Sequence, residues 1–170
     1  KRGVPKILIP TTAGTGSEVT RVFVMTDEES NLKKSVYSIH ALADVAIVDP
    51  MMTLSMPPRV TADTGIDALV HAIETYVSMT ATPFSDILAI EAIALIAENV
   101  TKAFAKGENL EARYNMSLAA TVAGLAFGSG GLGAVHALSN PLGILYHLPH
   151  GRTNAIMLPH IMSFNLIGNP

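Results

Sequence analysis

Residues 61–78 read TADTGIDALVHAIETYVS. Ile66, Val70, Ile73 and Val77 recur at the spacing of one helical face. A helix running to about Ser78 is therefore expected, with Asp63 or Thr64 as its cap. The stretch marks a change of period. Upstream, KILIP (6–10), TRVFVMT (20–26) and VAIVDP (45–50) are short apolar runs bounded by turn residues, a β pattern. Downstream, Thr82-Pro83 is a cap and first-turn pair for a helix that carries Ile87, Ile90, Ile93 and Leu95 and stops near Gly107. A further helix fits residues 109–126, and another begins near Leu132 after GSGGLG (128–133). Pro141 is expected to kink or end that helix, because proline lacks a backbone donor and clashes one turn back. A last helical piece follows Gly151. β elements thus precede an almost all-helical block, with the boundary near Ser55 to Pro58.

The chain has 170 residues, 49% hydrophobic and 15% charged. That suffices for a core in one large domain or two small ones. The net charge of -3, with no basic run longer than two residues, argues against a nucleic-acid partner. No cysteine is present, which excludes disulfides and thiolate metal sites and suits a reducing, cytoplasmic setting. No Asp, Glu, Lys or Arg occurs between Arg113 and Arg152. That segment is long enough for a membrane span of about 20 residues. It is rich in Ala, Gly and Ser and interrupted by Asn140-Pro141, so buried helices are expected and no membrane. The chain starts at Lys1 without Met, at once enters a strand-like run, and ends on a loop-like GNP. A piece of a longer protein is expected.

The candidate chemistry lies in the histidines. Asp67 and His71, four apart, share a helical face, and two readings are open. They can be half of a metal site, or Asp67 can close a capping box with Thr64 while His71 and Glu74 continue a solvated face. His136 sits among Ala134, Val135, Ala137 and Leu138, and His150 lies in the turn Pro149-His150-Gly151. Each can be a core histidine. Together with Asp67 and His71 they form a possible set of one carboxylate and three imidazoles, suited to Fe(II) or Zn(II). PTTAGTGSE (10–18) follows a strand and offers N–H groups and hydroxyls to a phosphate or ribose. It can equally be an ordinary tight loop, since it lacks the third glycine of a dinucleotide fingerprint. GSGGLG is taken as a helix connection where glycine permits close packing.

PKILIPTTAGTGSEVT (5–20), ADVAIVDP (43–50), TADTGIDALVHAIETYVS (61–78) and GAVHALSNPLGILYHLPHGRTNAIMLPHIMSFN (133–165) together resemble the iron-containing (group III) alcohol dehydrogenase family, with its dehydroquinate-synthase-like fold. The resemblance implies an α/β N-terminal part followed by an all-helical metal-binding domain. Residues 1–56 would be the C-terminal part of a nucleotide-binding domain, and 57–170 a helical domain incomplete at its C-terminus. Asp67, His71, His136 and His150 would hold Fe(II) or Zn(II). Thr11, Thr12, Thr15 and Ser17 would line NAD or NADP, with Val24 and Lys34 near the nicotinamide and its ribose. Lys33 takes the place of Lys34 under a one-residue shift. The family's upstream Gly-Gly-Gly-Ser loop is missing. Asn140 stands where many members carry a histidine thought to assist proton transfer, which leaves His147 as a titratable candidate; His160 is taken as structural. The implied reaction is hydride transfer between an alcohol or aldehyde and the nicotinamide, in a homo-oligomer. Rivals are a glycerol-dehydrogenase-like or dehydroquinate-synthase-like enzyme, a metal-dependent hydrolase with Glu74 as base, and a non-catalytic metal-binding fragment.

Overall fold

The computed structural model describes residues 4–27, 29 and 32–168, without the side chains of Thr26, Leu32 and Lys33. Four short strands come first: β1 Ile7–Leu8, β2 Val22–Asp27, β3 Leu32–Tyr37 and β4 Val45–Ala46. β1 pairs in parallel with β4, Ile7 opposite Val45, and β2 pairs antiparallel with β3, from Val22 opposite Tyr37 to Asp27 opposite Leu32. β3 (LKKSVY) has no counterpart among the expected strands; its two lysines obscure the apolar pattern. Five helices follow: α1 Pro58–Tyr76, α2 Pro83–Ala105, α3 Leu110–Gly130, α4 Ala134–Leu145 and α5 His150–Gly168. Asn169 and Pro170, in the loop-like end, lie outside the described residues.

The start of α1 differs from expectation. It begins at Pro58, with Pro57 in the cap position and no side-chain cap. Proline's fixed φ suits the first helical position, and this overrides the cap signals at Asp63 and Thr64. The end of α1 at Tyr76 and the Thr82 cap of α2, with Ser85 completing a capping box, follow the sequence pattern. α3 takes in the first three residues of GSGGLG, so only Gly131, Leu132 and Gly133 join it to α4. Pro141 does not end α4, which runs on to Leu145. Pro141 and Ala137, whose carbonyl loses its partner, are both exposed, so water can take up that oxygen. His150 is the first residue of α5 and not part of a separate turn.

The helical core is made of small residues. Ala89, Ala92 and Ala103 of α2 face Ala112, Ala119, Ala120, Ala123 and Ala126 of α3, with Ile96 and Met116 as the large members. Fully burying a residue such as Ile96 contributes about 1.5–3 kcal/mol. The expected stripe on α2 is partly wrong: Ile87 and Ile90 are exposed, while Ser85, Asn99 and the alanines turn inward. Arg113 is 1% exposed and works as a staple. Its guanidinium donates to Gly107 O (2.8 Å), Thr61 Oγ1 (2.7 Å) and Met56 O (3.1 Å), tying α3 to the entry of α1. No single described helix is long and apolar enough to cross a membrane.

The loop at residues 10–18 is laid on this bundle. Its buried positions are Ala13, Gly14, Gly16 and Glu18, and its outward ones include Thr11, Thr15 and Ser17, with Thr12 half-buried. Gly16 has φ 58°, a left-handed conformation that favours glycine. A Cβ there would stand 2.6 Å from Gly124 Cα, and one at Gly14 would stand 2.7 Å from Thr64 Cβ. Glu18 accepts a hydrogen bond from Thr121 Oγ1 at 2.7 Å.

Candidate metal centre

α1, α4 and α5 converge on one buried carboxylate. Asp67 Oδ1 lies 3.5 Å from His136 Nε2, 3.5 Å from His150 Nε2 and 4.0 Å from His71 Nε2. Asp67, His71 and His136 each offer a ligand atom within 4.8 Å of the others. The four residues singled out in the sequence are therefore together in space. On α1 the solvated-face reading fails: Asp67, His71 and Glu74 are all buried, whereas Val77 of the expected apolar stripe is exposed. The rings are stacked. His71 lies 4.6 Å from both Phe127 and His136, at interplanar angles of 26° and 14°.

Two residues complete the cluster. Asn154 is fully buried one turn beyond His150 on α5. Its Nδ2 donates to Asp67 Oδ1 at 2.7 Å and lies 3.1 Å from His136 Nε2 and 3.3 Å from His150 Nε2. Glu74, one turn beyond His71, accepts from Val135 N at 2.6 Å and pairs with His136 Nδ1 at 2.5 Å. Both oxygens are thus engaged, and Glu74 is not the general base a hydrolase would need. Its i+3 spacing from His71 was the available sequence signal; for Asn154 the signal was its i+4 spacing from His150.

The electrostatics set the members of the cluster apart. Burial pushes the His71 imidazole down to about 4, against the pull of Asp67, so it is neutral at pH 7. Burial acts to raise Asp67, but the three imidazoles outweigh it and hold the carboxyl at about 2. His136 goes the other way: burial opposes its charge, yet hydrogen bonds to Asp67 and Glu74 raise it to about 9. His71 Nδ1 and Asn154 Oδ1 are buried with no hydrogen-bond partner among the described residues. Each such atom costs about 1–3 kcal/mol, a cost set against the site's geometry.

The other candidates stand elsewhere. Asn140 is half-buried on α4, one turn past His136. His147 is exposed at φ 52°, the one non-glycine residue with positive φ among those described, and it turns the chain out of α4 while Leu148 N donates to Gly143 O at 3.1 Å. Val24 is exposed on β2 opposite Ser35. Lys34 pairs with Asp27 and lies opposite Met25, so the hairpin alternation puts it on the face away from Val24. Ser35, directly opposite, shares the face of Val24.

An α/β segment whose hydroxyl-bearing loop rests on a helical bundle, with a buried carboxylate, two buried imidazoles and a half-buried third brought together, is the architecture of the metal-containing alcohol dehydrogenases. Solved structures share it. The crystal structure of 1,3-propanediol oxidoreductase superposes with a TM-score of 0.94 at 48% identity, over 98% of this chain and 44% of that one. Sulfoacetaldehyde reductase from Bifidobacterium kashiwanohense, solved in complex with NAD+, gives 0.91 at 41% identity, over 95% and 43%. Long-chain-alcohol dehydrogenase 1 of Geobacillus thermodenitrificans is 54% identical over 164 residues, 96% of this chain and 41% of the relative. Residues 61–170 match the C-terminal profile of the Fe-containing alcohol dehydrogenase family, and residues 1–50 match the iron-containing alcohol dehydrogenase profile. The chain belongs to the Fe-containing alcohol dehydrogenase family. It spans less than half the length of these relatives.

Proposed function

We propose that this chain is the metal-holding part of an alcohol dehydrogenase, active also as an aldehyde reductase, that moves a hydride between an alcohol carbon and the nicotinamide of NAD or NADP. The observation that carries the proposal is the convergence of three imidazoles on Asp67 Oδ1 in a buried site. One hard oxygen and three borderline nitrogens suit Fe(II) or Zn(II). The orphaned His71 Nδ1 and Asn154 Oδ1 mark a cluster whose polar atoms are not all satisfied by protein alone. In this reading Asp67, His71, His136 and His150 hold the ion, which supplies Lewis-acid polarisation of the substrate oxygen.

The chain's other residues bind and orient. Thr11, Thr12, Thr15 and Ser17 turn hydroxyls and N–H groups toward the cofactor, on a loop whose inner side is fixed by Gly14 against Thr64, one turn before Asp67. Val24 offers apolar contact to the nicotinamide, with Lys34, or Lys33 under a one-residue shift, near its ribose. The uncharged α4 lies against the cluster, and burial there strengthens local fields. Asn140 can hydrogen-bond a substrate hydroxyl but cannot take its proton; the exposed His147, which follows α4, is the group assigned to pass it outward.

The test uses the full-length protein, loaded anaerobically with Fe(II) or Zn(II), while NAD(P)H absorbance is followed with a panel of small alcohols and aldehydes. Turnover is expected. No absorbance change with any substrate, despite one bound metal per chain, refutes the proposal. Asp67→Ala and His150→Ala are each expected to lose the metal while remaining folded by circular dichroism.

A further inference from the structure

We propose that Glu74 is a positioning residue for His136. It accepts the Nδ1–H of that ring with one oxygen while the other grips the first turn of α4, so that the bare Nε2 is presented to Asp67, His71 and His150. The inference rests on the metal-centre proposal above. Its geometry is independent of that proposal. Glu74 belongs to α1 and His136 to α4, and the carboxylate spans the two, with Oε2 2.5 Å from His136 Nδ1 and Oε1 2.6 Å from Val135 N.

Two features show that the contact is built in. α4 has Gly133 at its cap position and no side-chain cap, so Glu74 supplies from another helix the acceptor that a capping Ser or Asp would supply locally. A Cβ at Gly133 would stand 2.9 Å from Glu74 Oε1, closer than real Cβ contacts allow. The connection is also held from the α1 side, where Thr75 Oγ1 donates to Gly131 O at 3.1 Å and Thr80 Oγ1 to Gly130 O at 2.6 Å. An imidazole has two tautomers, and an acceptor on one nitrogen decides which nitrogen is left bare. In the neutral ring, an acceptor-only carboxylate on Nδ1 keeps the hydrogen on that side and leaves the lone pair on Nε2, and in the protonated ring the proton given up to an incoming metal is the one on Nε2. Without it, the ring is free to carry hydrogen on Nε2 and present no lone pair to the cluster.

The experiment compares full-length wild type with Glu74→Gln. Co(II) and Zn(II) affinities are measured by chelator competition, and the visible spectrum of the Co(II) protein is recorded. Glutamine keeps the size but has only one acceptor oxygen, so either His136 or Val135 loses its partner. Metal affinity should fall about 10- to 100-fold, with a changed Co(II) spectrum. Glu74→Asp should restore part of the affinity. A capping role alone would lower Tm but leave affinity and spectrum as in wild type, and that result overturns the inference. If wild type itself binds no metal, the metal-centre proposal fails instead. Should Glu74→Gln not fold, the 15N–1H correlation of His136 in Zn(II)-loaded wild type decides: hydrogen on Nδ1 supports the inference, and hydrogen on Nε2 overturns it.

Discussion

Replacing Gly151 by alanine should force α5 away from α1. Gly151 is the second residue of α5, and a Cβ built on it stands 1.8 Å from Asp63 O and 2.6 Å from Asp63 C. Real Cβ contacts rarely fall below 3.0 Å, so the helices must part by the difference, 1.2 Å, at that point. Both sides of the clash are main chain, and no rotamer change relieves it. Overpacking of this kind costs about 1–3 kcal/mol. Alanine recovers up to about 1 kcal/mol through helix propensity. The clash outweighs that gain, and a net loss of about 2 kcal/mol is expected. The same shift carries Arg152 from Asp63, now 2.9 Å apart, and Asn154 from Asp67, now 2.7 Å. It also moves His150 relative to Asp67. A misplacement of about 1 Å can lower turnover about 100-fold. Urea unfolding of the metal-free full-length protein measures the stability change, and Zn(II) competition with steady-state turnover measures the damage to the site. A change in stability below about 0.5 kcal/mol, with affinity and turnover intact, would refute the view that backbone contact between these helices places His150.

Arg113→Met should destabilise by about 3 kcal/mol, read as a lower urea midpoint, because it leaves three buried oxygens without their donor; an unchanged midpoint contradicts the staple. His136, raised to about 9, is protonated at pH 7 in the metal-free protein, while His71 and Asp67 are not. Zn(II) uptake at pH 7 should therefore release about one proton and strengthen about tenfold per pH unit up to pH 9, checked by calorimetry in buffers of different ionisation heat. The stabilisation of metal-free protein by His136 is complete below its ordinary 6.5 and lost as pH rises through about 9. His71 destabilises as pH falls from 6.5 through about 4, so Tm should peak near pH 6.5. On the hairpin, Lys34→Ala should raise KM for the cofactor about tenfold, the loss of one charge-assisted hydrogen bond; an unchanged KM removes Lys34 from the cofactor site.

Local rules were legible where one residue decides an outcome. The Thr82-Pro83 start of α2 is fixed by a hydroxyl and a preset φ, and the structure keeps it. The start of α1 was misplaced because Pro57-Pro58 compete with Asp63 and Thr64, and sequence alone does not rank them. The Asp67 and His71 pair was visible as residue types at helical spacing, but whether their face meets water depends on α4 and α5, which are distant in sequence. Whether Glu74 continued a solvated face stayed open for the same reason. Asn154 bears no mark of its own, since an amide four residues after a histidine is commonplace until both turn toward Asp67. β3 was hidden by its two lysines, which break the alternation that marks a half-buried strand.

The contact of Gly14 with Thr64 has a mechanical consequence. Thr64 precedes Asp67 by one turn of the same helix, about 4.5 Å along its axis, so the loop and the carboxylate are fastened to a common ruler. When α1 shifts as a body, both travel with it and their separation is conserved. If the loop holds the cofactor and the carboxylate the metal, as proposed, their common anchorage on α1 would keep the hydride distance constant while the rest of the protein breathes.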